Sequence, residues 1–319
     1  MIYWKKEVNQ PIVELTPNYI EYFFNSFVPN NSLIVFPDVP FDKSEITDNI
    51  STIIFDDCTN PINVSEHLQK INLDNFKILS GLFPYYENVP YPNVYFFPFW
   101  AVWISWQQYK FSNLEKHYLI SCLNGTPNVH RKLLYLELNK KSYFKDMIFT
   151  FKNNPNYIPT PNEIVLTNLE HEEISKLPPM VTFLPSDLDI GIDLSISHPA
   201  YQESYINLVT ETTVSNVVPM LSEKTFKPIV AGQLFVLVAS PGSIEFLRKI
   251  GIDTFDDIID HSYDQELDVR QRILKVVTEL DRLTMLDIPK IYNNLSERLK
   301  KNSTYLNSED FRNQFHLSF

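Results

Sequence analysis

Residues 222–243 read Ser-Glu-Lys-Thr-Phe-Lys-Pro-Ile-Val-Ala-Gly-Gln-Leu-Phe-Val-Leu-Val-Ala-Ser-Pro-Gly-Ser, and no other stretch constrains the fold as much. Ser222 is a residue type that caps helices, and Gly232 is the type that ends them. The run Leu234–Ala239 is wholly apolar, which fits a buried strand. A short helix feeding directly into a buried strand is a step of an α/β sheet. The helix opens with an acid and a base, Glu223 and Lys224. A helix N-terminus carries orphan N–H groups and partial positive charge, so it suits an anion such as a diphosphate. Lys224 can pair with phosphate, and Glu223 can accept hydrogen bonds from sugar or ribose hydroxyls. Pro228 falls inside the same helix, removes one hydrogen bond and predicts a kink or a very short helix.

The rest of the chain repeats this rhythm. In the first third, short β-like runs at Ser32–Phe36, Thr52–Phe55 and Lys77–Leu79 end in polar or Pro breaks. Helix-like stretches lie between them at Asn18–Phe27 and Val64–Ile71. The aromatic run Val94–Trp106 reads as a further, buried strand, and a domain boundary is placed in the polar stretch after it. A second series starts at Tyr118–Leu123, turns at Asn124-Gly125, and predicts a helix capped by Thr126 with Pro127 in its first position. Met147–Phe151 and Tyr205–Val209 read as strands, and residues 152–203 as largely irregular. Ser243–Ile250, Leu267–Leu283 and Ile288–Leu299 read as helices. The expected architecture is α/β, with two Rossmann-like domains, 1–113 and 114–319, and a ligand cleft between them at the carboxyl ends of the strands.

Composition excludes several classes of function. With 44% hydrophobic and 14% aromatic residues, a sizeable core is available and wholesale disorder is excluded. The net charge of −12 argues against a broad nucleic-acid surface and leaves room only for a local basic cleft. Cys58 and Cys122 are the only cysteines, too few and too far apart for a metal framework. The polar start Met1–Gln10 does not read as a signal peptide, and the longest apolar run is too short to span a bilayer. The expectation is a soluble, cytoplasmic chain.

Three βα junctions in the second half carry chemistry: Ser121–Arg131, Asn207–Thr212 and Ser222–Lys224. Together they offer a guanidinium, an ammonium, two carboxylates and two helix starts. That set suits a nucleoside diphosphate, with Arg131 and Lys224 for the phosphates and Glu211 or Glu223 for hydroxyls. The order of these residues resembles the donor-binding domain of the α-1,3-fucosyltransferases and related glycosyltransferases of the GT-B fold. Those enzymes show a strand ending in Ser-Asn or a similar pair, with an Arg on the next helix. A Glu-Asn-Ser-like step follows, and then Thr-Glu-Lys opens a helix before an apolar strand. Here Ser121, Asn124 and Arg131, then Glu211-Thr212, then Ser222-Glu223-Lys224 stand in those places. The likeness spans about residues 115–260, and Ser222 stands where the family carries Thr. It implies an inverting transfer from a nucleotide sugar, GDP-linked and fucose-like, to a glycan or other hydroxyl acceptor, with no metal. In the first domain the segment matching the family's catalytic base is not evident, so Asp56, Asp57 and Glu87 are the candidates for that base.

Plainer readings stand beside these. Arg131 can pair with Glu137 on a helix surface. Glu211 can cap locally, and Glu223 with Lys224 can be ordinary first-turn charges. His130 reads as orienting rather than catalytic, and His198 as a surface residue. Asp187-Leu-Asp189, with Asp193 nearby, offers an alternative of metal-dependent transfer. A non-catalytic binding protein that keeps the fold is a third reading.

Overall fold

Two mainly parallel sheets organise the chain, which divides into two compact units, Met1–Gln107 with Ser308–Phe319, and Gln108–Asn307. The structure, a computed structural model, describes residues 98–107, 109–111, 115–153, 165–183, 196–214 and 219–315, and before these only the strands named next. The first unit contains β1 (Ile2–Lys5), β2 (Val13–Glu14), β3 (Ser32–Val35), β4 (Thr52–Phe55), β5 (Ile78–Ser80) and β6 (Val94–Phe96). Their order is β2-β1-β3-β4-β5-β6, with only β2 antiparallel to its neighbour. The strands expected in this half are present at those positions. The helix-like stretches 18–27 and 64–71, and the candidate bases Asp56, Asp57 and Glu87, lie outside the described residues.

The aromatic run corrects the sequence reading. Only 94–96 is strand; after Pro98 the chain forms helix α1 (Phe99–Trp106). Ala101, Val102, Ile104 and Ser105 are all fully buried, so the helix hides more than one face. A short run that is apolar all round has no readable period, and this one was therefore mistaken for strand.

The second unit holds β7 (Tyr118–Asn124), β8 (Ile148–Lys152), β9 (Met180–Phe183), β10 (Ser204–Thr210) and β11 (Leu234–Val238), in the order β11-β10-β7-β8-β9. All pairs are parallel except β8 with β9. The chain moves outward from β7 through β8 and β9, then crosses back to lay β10 and β11 on the other side. The direction of winding therefore reverses between β7 and β10, and in open α/β sheets that point is where ligands bind, beyond the carboxyl ends of the strands. Helices of this unit are α2 (Val129–Leu138), α3 (Asn168–Ser175), α4 (Pro199–Gln202), α5 (Glu223–Val230), α6 (Ser243–Lys249), α7 (Val269–Thr284), α8 (Ile288–Asn294) and α9 (Ser296–Leu306). In the first unit α10 (Glu309–Asn313) returns to α1, where Arg312 donates to the Ser105 carbonyl and hydroxyl.

Several boundaries differ from expectation. The cap of α2 is Asn128, not Thr126. The segment expected to be irregular contains α3, β9 and α4; Thr167 and Glu170 form a reciprocal capping box that announces α3. The predicted helix 288–299 is two helices, α8 and α9, that meet at Leu295. Among the described residues no helix is long and apolar enough to cross a membrane.

Beneath the sheet a buried polar cluster fixes α4. Ser121 and Ser204 hydroxyls and the Gln233 amide all donate to the Ala200 carbonyl, and Asn207 bridges Ser121 and Gln233. Helix α5 runs through Pro228 to Val230 and closes with two backbone bonds, Gln233 N–H to Pro228 and Gly232 N–H to Ile229. Gly232 adopts φ 72°, and an added Cβ would overlap the Phe111 ring. Gly232→Ala is therefore expected to lose at least ~2 kcal/mol, from left-handed strain plus the clash. Urea unfolding checks this: an unchanged midpoint would show that Phe111 moves aside freely.

Candidate functional site

The site is built where β7 and β10 end. Asn124, the last residue of β7, is fully buried. Its carbonyl oxygen side-chain atom accepts from the Thr210 hydroxyl at 2.6 Å, and its backbone N–H donates to the Thr150 hydroxyl at 3.0 Å. These bonds tie together the ends of β10, β7 and β8. Asn124 thus sets the geometry of the strand ends from within the sheet.

The chain leaving β10 is held by the first turn of α2. The Asn128 amide donates to the Thr212 carbonyl at 2.7 Å. His130 Nε2 bonds the Glu211 carbonyl at 3.0 Å. The Arg131 guanidinium reaches the Thr210 and Glu211 carbonyls at 2.9 and 3.2 Å, and the Thr126 carbonyl at 3.0 Å. One helix turn therefore grips successive carbonyls of residues 210–212. A carbonyl only accepts, so His130 Nε2 carries a proton. Burial, with the Arg131 charge beside it, pushes the His130 pKa down to about 3. Arg131, read from the sequence as a phosphate ligand, is 2% exposed and spends donors on the backbone.

Glu211 is the centre of the arrangement. Its carboxylate is fully buried and accepts from the Ser222 N–H at 2.9 Å, the Ser222 hydroxyl at 2.6 Å and the Thr225 hydroxyl at 2.5 Å, with the Thr212 N–H at 3.3 Å. Its own N–H continues the sheet by donating to Val238. Glu211 thus seats a negative charge on the N-terminus of α5. The sequence reading reserved that terminus for a bound anion, but the protein supplies a carboxylate there itself. Ser222 caps the helix as expected, accepting from the Lys224 N–H.

Three predicted residues are left at the surface of this frame: Thr212, Glu223 and Lys224, each partly exposed. Lys224 Nζ lies 2.6 Å from Glu223 Oε1, 3.3 Å from the Ser222 hydroxyl and 3.4 Å from the Thr212 hydroxyl. The lysine side chain is 33% exposed and the glutamate only 13%. This pair can offer an ammonium to an oxyanion and a carboxylate to hydroxyls.

Sequence reasoning missed Lys227 and Tyr201. Lys227 is buried, with Nζ 4.8 Å from the centre of the Tyr201 ring. Burial and the charges of Glu223 and Glu211 push the Tyr201 hydroxyl up, so the ring lies within the field of both carboxylates. Burial and the Lys227 charge lower the pKa of His198, whose Nδ1 caps α4 by accepting from Ala200 N–H. Helical spacing was the available signal, since Lys227 follows Glu223 by four residues and faces the same side. Asp187, Asp189 and Asp193 lie outside the described residues, and among the described residues no group of three His, Cys, Asp or Glu side chains could hold a metal.

No family model matches this chain, and no curated protein matches it. Among solved structures it is similar to T4 phage BGT in complex with UDP and Mn2+, at 11% identity and a TM-score of 0.41, over 98% of this chain and 81% of that one.

The buried histidines give a pH prediction. His130 and His261 are held neutral in the native state, both mainly by burial, and His261 Nδ1 accepts from the Tyr263 hydroxyl. An unfolded imidazole takes up a proton near its ordinary pKa of about 6.5, so below that pH the unfolded state binds more protons and gains stability. Native stability should therefore fall as pH drops below about 6.5, by up to ~1.4 kcal/mol per pH unit from His130, with His261 acting in the same direction. Urea midpoints at pH 7.5, 6 and 5 test this, and His130→Gln should flatten the slope. An equal slope in that variant would remove His130 from the explanation.

Proposed function

We propose that the second unit binds the diphosphate of a nucleotide sugar at the ends of β7 and β10, and that the chain is a glycosyltransferase. The observation that carries this reading is the Lys224–Glu223 pair. It is presented on a helix end locked by Glu211, at the point where the winding of the sheet reverses. Lys224 pairs with phosphate oxygens, and Thr212 stands beside it as a hydroxyl partner. Glu223 accepts from hydroxyls of the ribose or the sugar. Asn124, Arg131, Glu211 and Ser222 serve this site by holding its backbone, not by touching the donor.

The sequence resemblance narrows the proposal to an inverting, metal-independent transfer from a GDP-linked, fucose-like donor to a glycan or other hydroxyl acceptor. In such a transfer the acceptor oxygen attacks the anomeric carbon as the bond to the diphosphate breaks. A base takes the acceptor proton, and the diphosphate leaves with the bonding electrons. Positive charge at the leaving group lowers that barrier, which is the part assigned to Lys224. Asp56, Asp57 and Glu87 are the proposed sources of the base.

Thermal shift with a panel of nucleoside diphosphates and their sugars tests the site, since a ligand that binds only the folded state raises its melting temperature. One nucleotide should stabilise the chain, and Lys224→Ala should weaken its binding by at least about tenfold, the worth of a charge-assisted bond. Transfer should persist in EDTA; its loss would favour the metal-dependent reading through Asp187 and Asp189. If no nucleotide shifts the melting temperature, the donor site is not here.

A further inference from the structure

Lys224 faces a difficulty as a phosphate ligand: its ammonium is engaged with Glu223 at 2.6 Å. A diphosphate that draws Lys224 away leaves the Glu223 carboxylate without that cation in a side chain only 13% exposed. Stranding a largely buried carboxylate is costly, enough to cancel much of the gain from the new phosphate contact. The site therefore needs a second cation within reach of Glu223.

Lys227 meets that need. It follows Glu223 by four residues on α5, with glutamate toward the N-terminus, which is the favourable orientation for a helical ion pair. Helical side chains lean toward the N-terminus, so a side chain as long as that of Lys227 can swing from the Tyr201 ring toward the first turn. It is already buried, so little further desolvation is required when it changes partner. Tyr201 ties the two groups together: Lys227 Nζ lies over its ring, and its hydroxyl feels the Glu223 charge.

We propose that anion binding at this site is a partner exchange, in which Lys224 turns to the phosphates and Lys227 takes over the Glu223 carboxylate. This deepens the donor-site reading and rests on it. Lys227 is then a positioning residue: it does not touch the ligand, and it acts by releasing Lys224. The exchange also makes Glu223 a brake, because in the empty site its carboxylate competes with phosphate for Lys224.

A double-mutant cycle tests the exchange with inorganic pyrophosphate as the probe, which has phosphates but no hydroxyls for Glu223 to hold. Binding is measured by calorimetry on the full chain, alongside the best nucleoside diphosphate. Lys227→Met should weaken pyrophosphate by about tenfold, while Lys227→Arg should bind like wild type. Glu223→Gln should tighten pyrophosphate, and adding Lys227→Met to it should then change nothing. Melting temperatures of all variants establish that they are folded, and Lys227→Gln, which removes the charge but keeps a polar side chain, replaces the Met variant with the same expected loss if that one is not. Equal binding by Lys227→Met and wild type overturns the exchange. Equal weakening with and without Glu223 also overturns it, because Lys227 would then contact phosphate directly. In both cases a wild-type chain that binds nucleoside diphosphate keeps the donor-site reading. A wild-type chain that binds neither pyrophosphate nor nucleotide sinks both.

Discussion

One buried carboxylate organises the second unit. Glu211 ends a strand and starts a helix at once, because its N–H bonds β11 while its side chain bonds Ser222 and Thr225 of α5. Its carbonyl in turn receives His130 and Arg131 from α2. A fully buried carboxylate survives only when its oxygens are satisfied, and this one accepts from backbone and hydroxyl donors together. Removing any one donor strands charge, so the local geometry tolerates few alternatives. That requirement sets α5 against the end of β10, while α2 is tied to the same residue through its backbone carbonyl.

The same carboxylate changes what the helix end can do. Free helix N-termini attract anions through orphan N–H groups and the helix dipole. At α5 the Ser222 N–H is given to Glu211 and the Lys224 N–H to the Ser222 hydroxyl. Negative charge from the protein already occupies the favoured place. Attraction for an anion then has to come from side-chain cations, and α5 carries Lys224 and Lys227 within its length. In the proposed site the helix dipole is therefore replaced by ammonium groups, one of which, Lys224, is held by Glu223.

Much of the second unit was legible in the sequence because its strands are apolar runs with sharp ends. β7, β8, β10 and β11 lie where those runs predict them. The helix–glycine–strand step at 222–238 is read directly, since Ser222, Gly232 and the apolar run each have one strong local preference. What failed to show was partnership. Arg131 and Glu211 have the chemistry of ligand-binding residues, and residue type cannot tell whether a guanidinium meets phosphate or three carbonyls. That depends on a contact between residues 79 and 80 positions apart in the chain. Lys227 has no sequence signal of its own, and only its place four residues after Glu223 on one helix marks it. In the first unit the rhythm of strands was visible, but the aromatic run was not, since burial on several faces of α1 erases the period that distinguishes helix from strand.

Buried arginines complete the electrostatic picture. Parallel strands end in carbonyls, and an unmodified row of them presents negative potential just where an anion would have to dock. Arg131 answers this at the end of β10, and Arg272, 1% exposed, does the same beyond β11 by donating to the Ala239 carbonyl at 2.6 Å and to Val214. Neither guanidinium needs to touch a ligand to matter. At an effective dielectric of about 20, a unit charge ~8 Å away contributes roughly 2 kcal/mol. Fixed cations beneath the strand ends therefore set the background potential, while the half-buried pair Glu223 and Lys224 would set the contacts. In a chain of net charge −12, such fixed local cations are what the proposed donor site would need to hold an anion that the surface as a whole repels.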